Sequence, residues 1–260
     1  MKVSNSQIGC FKACRRMYQL KYVYGLEPVE KPEALNRGLS YHAAVESLLR
    51  GEKPDVEDPK IRAMVETFHR NTGGDMGVSD VEKWFEYQTP SGHTVIGRMD
   101  AVAKNGNVIE HKTTSGIIDG AYFQRLEMDE QIPTYMLAAG SNEVVYTVCS
   151  TPSIRQKKNE SDDEFAERCL EWFDDETVGK KFDVELITRS DAQLELFAVE
   201  QDAIIDEMAN SKLYYRNPQH CMKWGRLCEY APICMHYYDP AMEYIEYKKR
   251  EVRSSGNLEA

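Results

Sequence analysis

At 260 residues, with 42% hydrophobic and 29% charged side chains, the chain has the make-up of a globular protein of one large or two small domains. No apolar run is long enough to span a bilayer and no charged leader precedes an apolar segment, so no membrane is expected as a partner and the expected location is cytoplasmic. A net charge of −11 argues against nucleic acid, but residues 1–26 carry Lys2, Lys12, Arg15, Arg16 and Lys21 and no acid, while the acids gather in 160–176 and 191–207.

Ser4 and Gln7 have capping-box spacing, and Ile8, Phe11, Cys14 or Arg15, Tyr18 and Tyr22 recur at helical period, so a first helix is expected to run to Gly25. A linker over 27–33 leads to a second helix over 34–50, stopped by Gly51, with an inward face of Leu35, Leu39, His42, Val45 or Glu46, and Leu49. A third helix covers 58–70, before Gly73-Gly74. The period then drops to two. Strands over 81–89, 94–104 and 108–113, turned at Pro90-Ser91-Gly92 and Asn105-Gly106, form a three-stranded meander.

Residues 121–139 read as helix, with Tyr122, Leu126, Gln131, Tyr135 and Ala139 near one face and Pro133 marking a start or a kink. A buried strand over 143–149, a helix opened by the Ser161–Glu164 capping box, a strand over 182–188 and a long helix over 191–211 follow. The cysteine-bearing segment after it is expected to pack back on the N-terminal helix, and the tail beyond Tyr247 to fray. The order is that of an α/β (α+β) fold around one sheet. It reads as a single domain: a helical part over 1–75, a sheet core over 80–150, helices and cysteine segment over 160–240, and a flexible tail over 248–260.

Chemistry concentrates between Gly97 and Lys112. Glu110 and Lys112 are two apart and share a strand face. A strict two-residue Asn105-Gly106 loop would set Asp100 opposite His111. A three-residue loop or bulge is expected instead, with Asp100 facing Lys112 and diagonal to Glu110. Carboxylates converging there repel unless a cation joins them, and Mg²⁺ favours one or two carboxylates plus waters. The plainer account of the same residues is a cross-strand salt bridge on a solvated sheet face. His42, on an apolar helix face, is a core histidine or a ligand. Gln131 and Tyr135, four apart, are helix neighbours that pack or serve a site.

In order and spacing, His42, Gly97-Arg-Met-Asp100, Glu110-His-Lys112 and Gln131-Ile-Pro-Thr-Tyr135 resemble the RecB-like exonuclease branch of the PD-(D/E)XK nuclease superfamily. The resemblance covers roughly 4–150 and implies a restriction-endonuclease-like core of helix, three-strand meander, helix and strand. It implies that Asp100 and Glu110 hold Mg²⁺ or Mn²⁺, with His42 and the main-chain carbonyl of His111 as further ligands. Lys112 would orient or help deprotonate the attacking water, and Gln131 and Tyr135 would position that lysine and the DNA strand. The implied activity is metal-dependent phosphodiester hydrolysis, most simply an exonuclease on DNA ends or single strands. Alternatives are a structure-selective endonuclease or nickase with the same site, a non-catalytic DNA-binding subunit of a helicase–nuclease assembly, or a zinc-stapled interaction domain. Repair and recombination, viral DNA processing and CRISPR adaptation remain open as settings. With no helicase motif, duplex opening would fall to a partner, such as a helicase or recombination protein, or to the DNA end.

Seven cysteines, with no secretion signal, suit a reducing compartment better than a disulfide framework. Cys149 and Cys169 read as isolated core residues. Cys221, Cys228 and Cys234, with Cys14 preceding the nuclease motifs and matching better than Cys10, resemble the iron–sulfur staple of AddB-type nucleases and of the CRISPR-adaptation exonuclease. Six residues separate Cys221 from Cys228, where that pattern commonly has two. Four thiolates suit a [4Fe–4S] cluster or zinc, and buried thiols are the plainer account. Trp224, Tyr230, Tyr237 and Tyr238 crowd the segment as a covered cluster would need. Arg15, Arg16, Arg37, Arg98 and Arg125 are candidate phosphate contacts and Tyr18 and Tyr22 candidate stacking faces; surface salt bridges explain most of these arginines equally well.

Overall fold

A computed structural model of the chain describes residues 1–29, 33–175, 177, 179–223, 225–236 and 247–249. It falls into two compact units, one of Val3–Pro32 with Ala203–Ala260 and a larger one of Glu33–Asp202.

In the larger unit, helices α1 (Glu33–Leu49) and α2 (Pro59–Thr72) precede strands β1 (Val78–Gln88), β2 (Thr94–Ala103) and β3 (Val108–Thr114). Asp58 caps α2 by accepting from the Lys60 N–H, and Gly73, with φ of 71°, ends it. Helices α3 (Gly120–Leu126) and α4 (Gln131–Ala139) lead to β4 (Glu143–Ser150), then α5 (Asp162–Asp174), β5 (Phe182–Thr188) and α6 (Asp191–Asn210). The expected single helix over 121–139 is thus two. Asp129 Oδ1 accepts from the N–H groups of Gln131 and Ile132, and so starts a fresh helix with Pro133 in its first turn.

Strands β1, β2 and β3 form the expected antiparallel meander; β4 joins β3 in parallel after the α3–α4 crossover, and β5 closes antiparallel on β4. Met99, Val102, Val108, Val144, Tyr146 and Val148 of the sheet pack in one cluster with Leu126, Ile132, Tyr135 and Met136 of α3 and α4. Cys149, next to Val148 and so on the opposite face, joins Tyr41, Val45, Ile61, Met64 and Phe68 of α1 and α2. Cys149 and Cys169 are both fully buried, as expected of core residues.

The smaller unit opens with a helix over Asn5–Ala13 on the Ser4–Gln7 capping box. The expected continuous helix to Gly25 breaks at Cys14, which is extended at φ −162° and ψ 114°. Distant groups take over the bonds: the Asn217 side-chain Nδ2 donates to the Ala13 carbonyl at 2.8 Å, and the Arg16 N–H donates to the Tyr215 carbonyl at 3.0 Å. A short helix over Arg15–Tyr18 and a π-helical turn over Gln19–Val23 follow. The cysteine segment holds short helices over Pro218–Cys221 and Ala231–Met235, and it does pack on the N-terminal part. Tyr230 donates to the Leu26 carbonyl at 2.8 Å, and Leu20, Leu26, Tyr230 and Ile233 share one cluster. Fraying beyond Tyr247 is corrected for two residues, since Tyr247–Lys249 pairs antiparallel with Leu26–Pro28; 250–260 lie outside the described residues, as do Trp224, Tyr237 and Tyr238.

Candidate active site

The site grows from the β2–β3 hairpin. The Ala103 N–H donates to the Asn107 carbonyl and the Gly106 N–H to the Ala103 carbonyl, each at 2.9 Å. The loop is therefore the three residues Lys104-Asn105-Gly106, with Gly106 at φ 90°, where a side chain would be strained. Ala101 pairs with Ile109 and Val102 with Val108. This corrects the expected register. Carried one residue past Ala101–Ile109, that register sets Asp100 level with Glu110, not with Lys112, and the Asp100 charge acts on Glu110.

Backbone pairing gives way to side chains there. The His111 N–H donates to Asp100 Oδ2 at 2.9 Å, and Tyr135 Oη donates to the Arg98 carbonyl at 3.1 Å. His42, from α1, places Nδ1 3.4 Å from Asp100 Oδ2. Lys112 Nζ bonds Glu110 Oε1 and, at 2.7 Å, Gln131 Oε1; Gln131 Nε2 then donates to Tyr135 Oη at 2.6 Å. The relay runs from Lys112 through Gln131 and Tyr135 to the Arg98 carbonyl. It fixes where the amine sits.

Burial sets the charges. Burial raises the Asp100 carboxyl, but the hydrogen bond and charge of His42 and the His111 N–H outweigh it and hold the group at about 2. Burial and then the Asp100 charge push Glu110 up to about 7, against the pull of Lys112. Burial also acts on Lys112 and His42, lowering each, yet Glu110 raises Lys112 and Asp100 raises His42 by more. The His111 ring, buried and bonded to Thr147 Oγ1 at 2.7 Å, is driven down to about 4 by burial and is neutral.

The donor set suits a hard divalent cation. Glu110 is 1% exposed and its Oε2 is buried without a hydrogen-bond partner, a costly state for a carboxylate oxygen that has nothing to bind. Among the described residues no three His, Cys, Asp or Glu side chains enclose an ion by themselves. Mg²⁺ does not demand that, since it keeps several waters on one or two carboxylates.

The arginines are engaged with the protein itself. Arg15 is sandwiched between Phe11 and Tyr215 and pairs with Glu207; Arg16 bonds Gln19. Arg37 pairs with Asp58 at 3.5 Å, Arg98 with Glu82, and Arg125 lies 5.2 Å from the Tyr122 ring. Tyr18 is 5% exposed, edge-on to Phe11 and stacked on Tyr214, so the expected base-stacking role of its ring is overturned. Sequence reasoning passed over Asp129, whose cap aims Gln131, and Thr147, which fixes the His111 ring; an Asp two residues before the helical pattern was the available sign of the first.

Residues 2–78 and 56–235 match the PD-(D/E)XK nuclease superfamily. The chain belongs to that superfamily. The β1–β2–β3 meander with α4 carries Asp100, Glu110, Lys112, Gln131 and Tyr135 near the end where β2 and β3 part, and α1 carries His42. A presumed exonuclease from Eubacterium rectale has a similar structure, at a TM-score of 0.56 and 12% identity over 91% of this chain and 88% of that one. More distant are a phage-related exonuclease from Haemophilus somnus 129PT, at a TM-score of 0.35, 15% identity and 73% and 94% coverage of this chain and that one. An alkaline exonuclease from Laribacter hongkongensis stands at a TM-score of 0.35, 13% identity and 80% and 88% coverage. No curated protein matches. Among the described residues no helix is long and apolar enough to cross a membrane.

Proposed function

We propose that this PD-(D/E)XK protein is a RecB-like, metal-dependent deoxyribonuclease that works as an exonuclease on DNA ends or single strands. The observation that carries the reading is that Asp100 and Glu110 bear on each other beside a lysine whose position a relay through Gln131 and Tyr135 holds. A solvated salt bridge needs neither the buried free oxygen of Glu110 nor that relay.

Asp100, Glu110, His42 and the His111 carbonyl are the groups to hold Mg²⁺ or Mn²⁺. A bound divalent ion makes hydroxide available near neutral pH and offsets charge on the phosphate. Lys112 orients the attacking water and meets the charge that grows on the phosphate oxygens. Gln131 and Tyr135 are positioning residues, because they act through Lys112. The purified protein with Mg²⁺ or Mn²⁺ is expected to degrade end-labelled linear DNA and spare a closed circle. Nicking of the circle would favour the endonuclease reading, and no cleavage of either with any divalent metal would sink the enzyme.

Cys14, Cys221, Cys228 and Cys234, brought from two ends of the chain, line one cavity of about 20 Å³ in the smaller unit; no three of these thiols already enclose an ion, so a shared four-thiolate site would need them to draw together. Burial raises the Cys228 and Cys234 thiols, so without a metal they stay protonated. Zinc, a single ion, needs less rearrangement of that cavity than a [4Fe–4S] cluster. Anaerobically purified protein is expected to carry metal, colourless if zinc and brown if iron–sulfur; metal content unchanged in Cys228→Ala would remove the site.

A further inference from the structure

An aromatic surface beside the carboxylates has no role in the chemistry so far. Trp84 of β1 is 58% exposed, although tryptophan is the side chain with most to gain from burial. It pairs directly across the strands with Arg98 of β2, whose guanidinium lies 5.8 Å from the indole ring. Arg98 stands two residues before Asp100, about 7 Å along the strand. Its carbonyl is the end of the relay from Lys112.

The arginine is not a free phosphate clamp. It pairs with Glu82, whose side chain is only 17% exposed, and that pairing offsets its charge. Glu82 itself sits in the left-handed region at φ 56°, inside a strand and between Val81 and Lys83, which pair with Ala101 and Met99 on either side of Asp100. Such a backbone is strained for a residue with a side chain, and strain of this kind persists where surrounding structure holds it. The result is a cation paired with Glu82 and lying against an exposed indole, with little net charge to offer a phosphate.

We propose that Trp84 and Arg98 form a stacking platform for one unpaired nucleobase of the strand being cut. This rests on the nuclease reading and sharpens it. An exposed indole, one short step from the carboxylates, accepts any base but only after that base has left its duplex partner. The platform therefore selects frayed or single-stranded DNA over intact duplex, and makes Arg98 a stacking partner more than a phosphate contact.

The test is fluorescence anisotropy with labelled single-stranded oligothymidine and with blunt-ended duplex, in EDTA so that nothing is cut. Trp84→Ala is expected to weaken oligothymidine binding by about 5- to 100-fold, the range for loss of one base–aromatic stack, with Trp84→Phe much closer to the parent. Duplex binding should change far less. Oligothymidine carrying abasic sites should bind the parent more weakly, yet cost Trp84→Ala little further affinity, a coupling that a general structural defect would not produce. Equal oligothymidine affinity in parent and Trp84→Ala overturns the platform, as it would if the indole served a protein partner instead. If the parent binds neither DNA, the nuclease reading falls with it; if the parent binds and cleaves while Trp84→Ala matches it, only the platform falls.

Discussion

Lys112→Ala is expected to lower the rate of metal-dependent cleavage by about 10²- to 10⁴-fold at saturating metal, the usual worth of a positioned acid–base group. The amine is held by Glu110 and Gln131. The change has a second consequence, because Lys112 also pulls Glu110 down from where burial and Asp100 push it. Glu110 sits at about 7, so a proton and a divalent ion compete for it near neutral pH, and metal affinity in the parent should rise as pH increases through that value. Without Lys112 the proton is held more tightly and the midpoint moves to higher pH. Calorimetric Mn²⁺ titrations across pH, with single-turnover cleavage at saturating metal, separate the two effects. An unchanged rate under those conditions would remove Lys112 from the chemistry.

The same shifts give the metal-free protein a signature in stability. Glu110 binds its proton more tightly folded than unfolded, so between its ordinary 4.5 and about 7 the folded state carries the extra proton and this group's contribution falls as pH rises. Asp100 has the opposite sign. Held at about 2 against an ordinary 3.8, it contributes stability above 3.8 that is lost as pH falls towards 2.

Gly97→Ala is expected to destabilise the larger unit by about 1–3 kcal/mol, the cost of overpacking, and to lower cleavage as well. A Cβ at Gly97 would lie 2.5 Å from Phe85 Cζ and 2.7 Å from its Cε1. The ring has little room to yield: Gly97 is its cross-strand partner, Tyr135 meets it edge-on at 5.7 Å, and Tyr87 stacks at 6.5 Å. Any shift passes to Tyr135, and so to Gln131 and Lys112. Urea unfolding and steady-state kinetics would check both parts. In a Phe85→Leu background the penalty of Gly97→Ala should shrink, and strict additivity of the two substitutions would show that the clash is not the cause. Gly97 thus belongs to the Gly-Arg-Met-Asp motif for a packing reason, as the space that the ring bracing Tyr135 occupies.

What could be read along the chain was local. The Ser4–Gln7 and Ser161–Glu164 boxes and the Asp58 cap start helices where the spacing placed them, because a cap needs only residues three or four apart. The strand over Phe182–Thr188 followed from its alternation. The motif residues were legible as well, since His42, Asp100, Glu110, Lys112, Gln131 and Tyr135 do meet.

What depended on distant partners was not. Cys14 leaves the helix because Tyr215 and Asn217, some two hundred residues on, take the hydrogen bonds that continuing it would have used. Tyr18 disappears under Tyr214. Glu82 adopts a left-handed backbone that no propensity favours, with Arg98 on the next strand holding its side chain.

The hairpin from Gly97 to Lys112 divides the two kinds of information. That two carboxylates and a lysine lie on adjoining strands is written within sixteen residues, in the side-chain alternation and the Asn-Gly turn. That the register brings Asp100 level with Glu110 comes from the fold. A one-residue difference in the loop shifts every pair along the ladder, and its choice rests on packing against helices whose residues lie outside the hairpin.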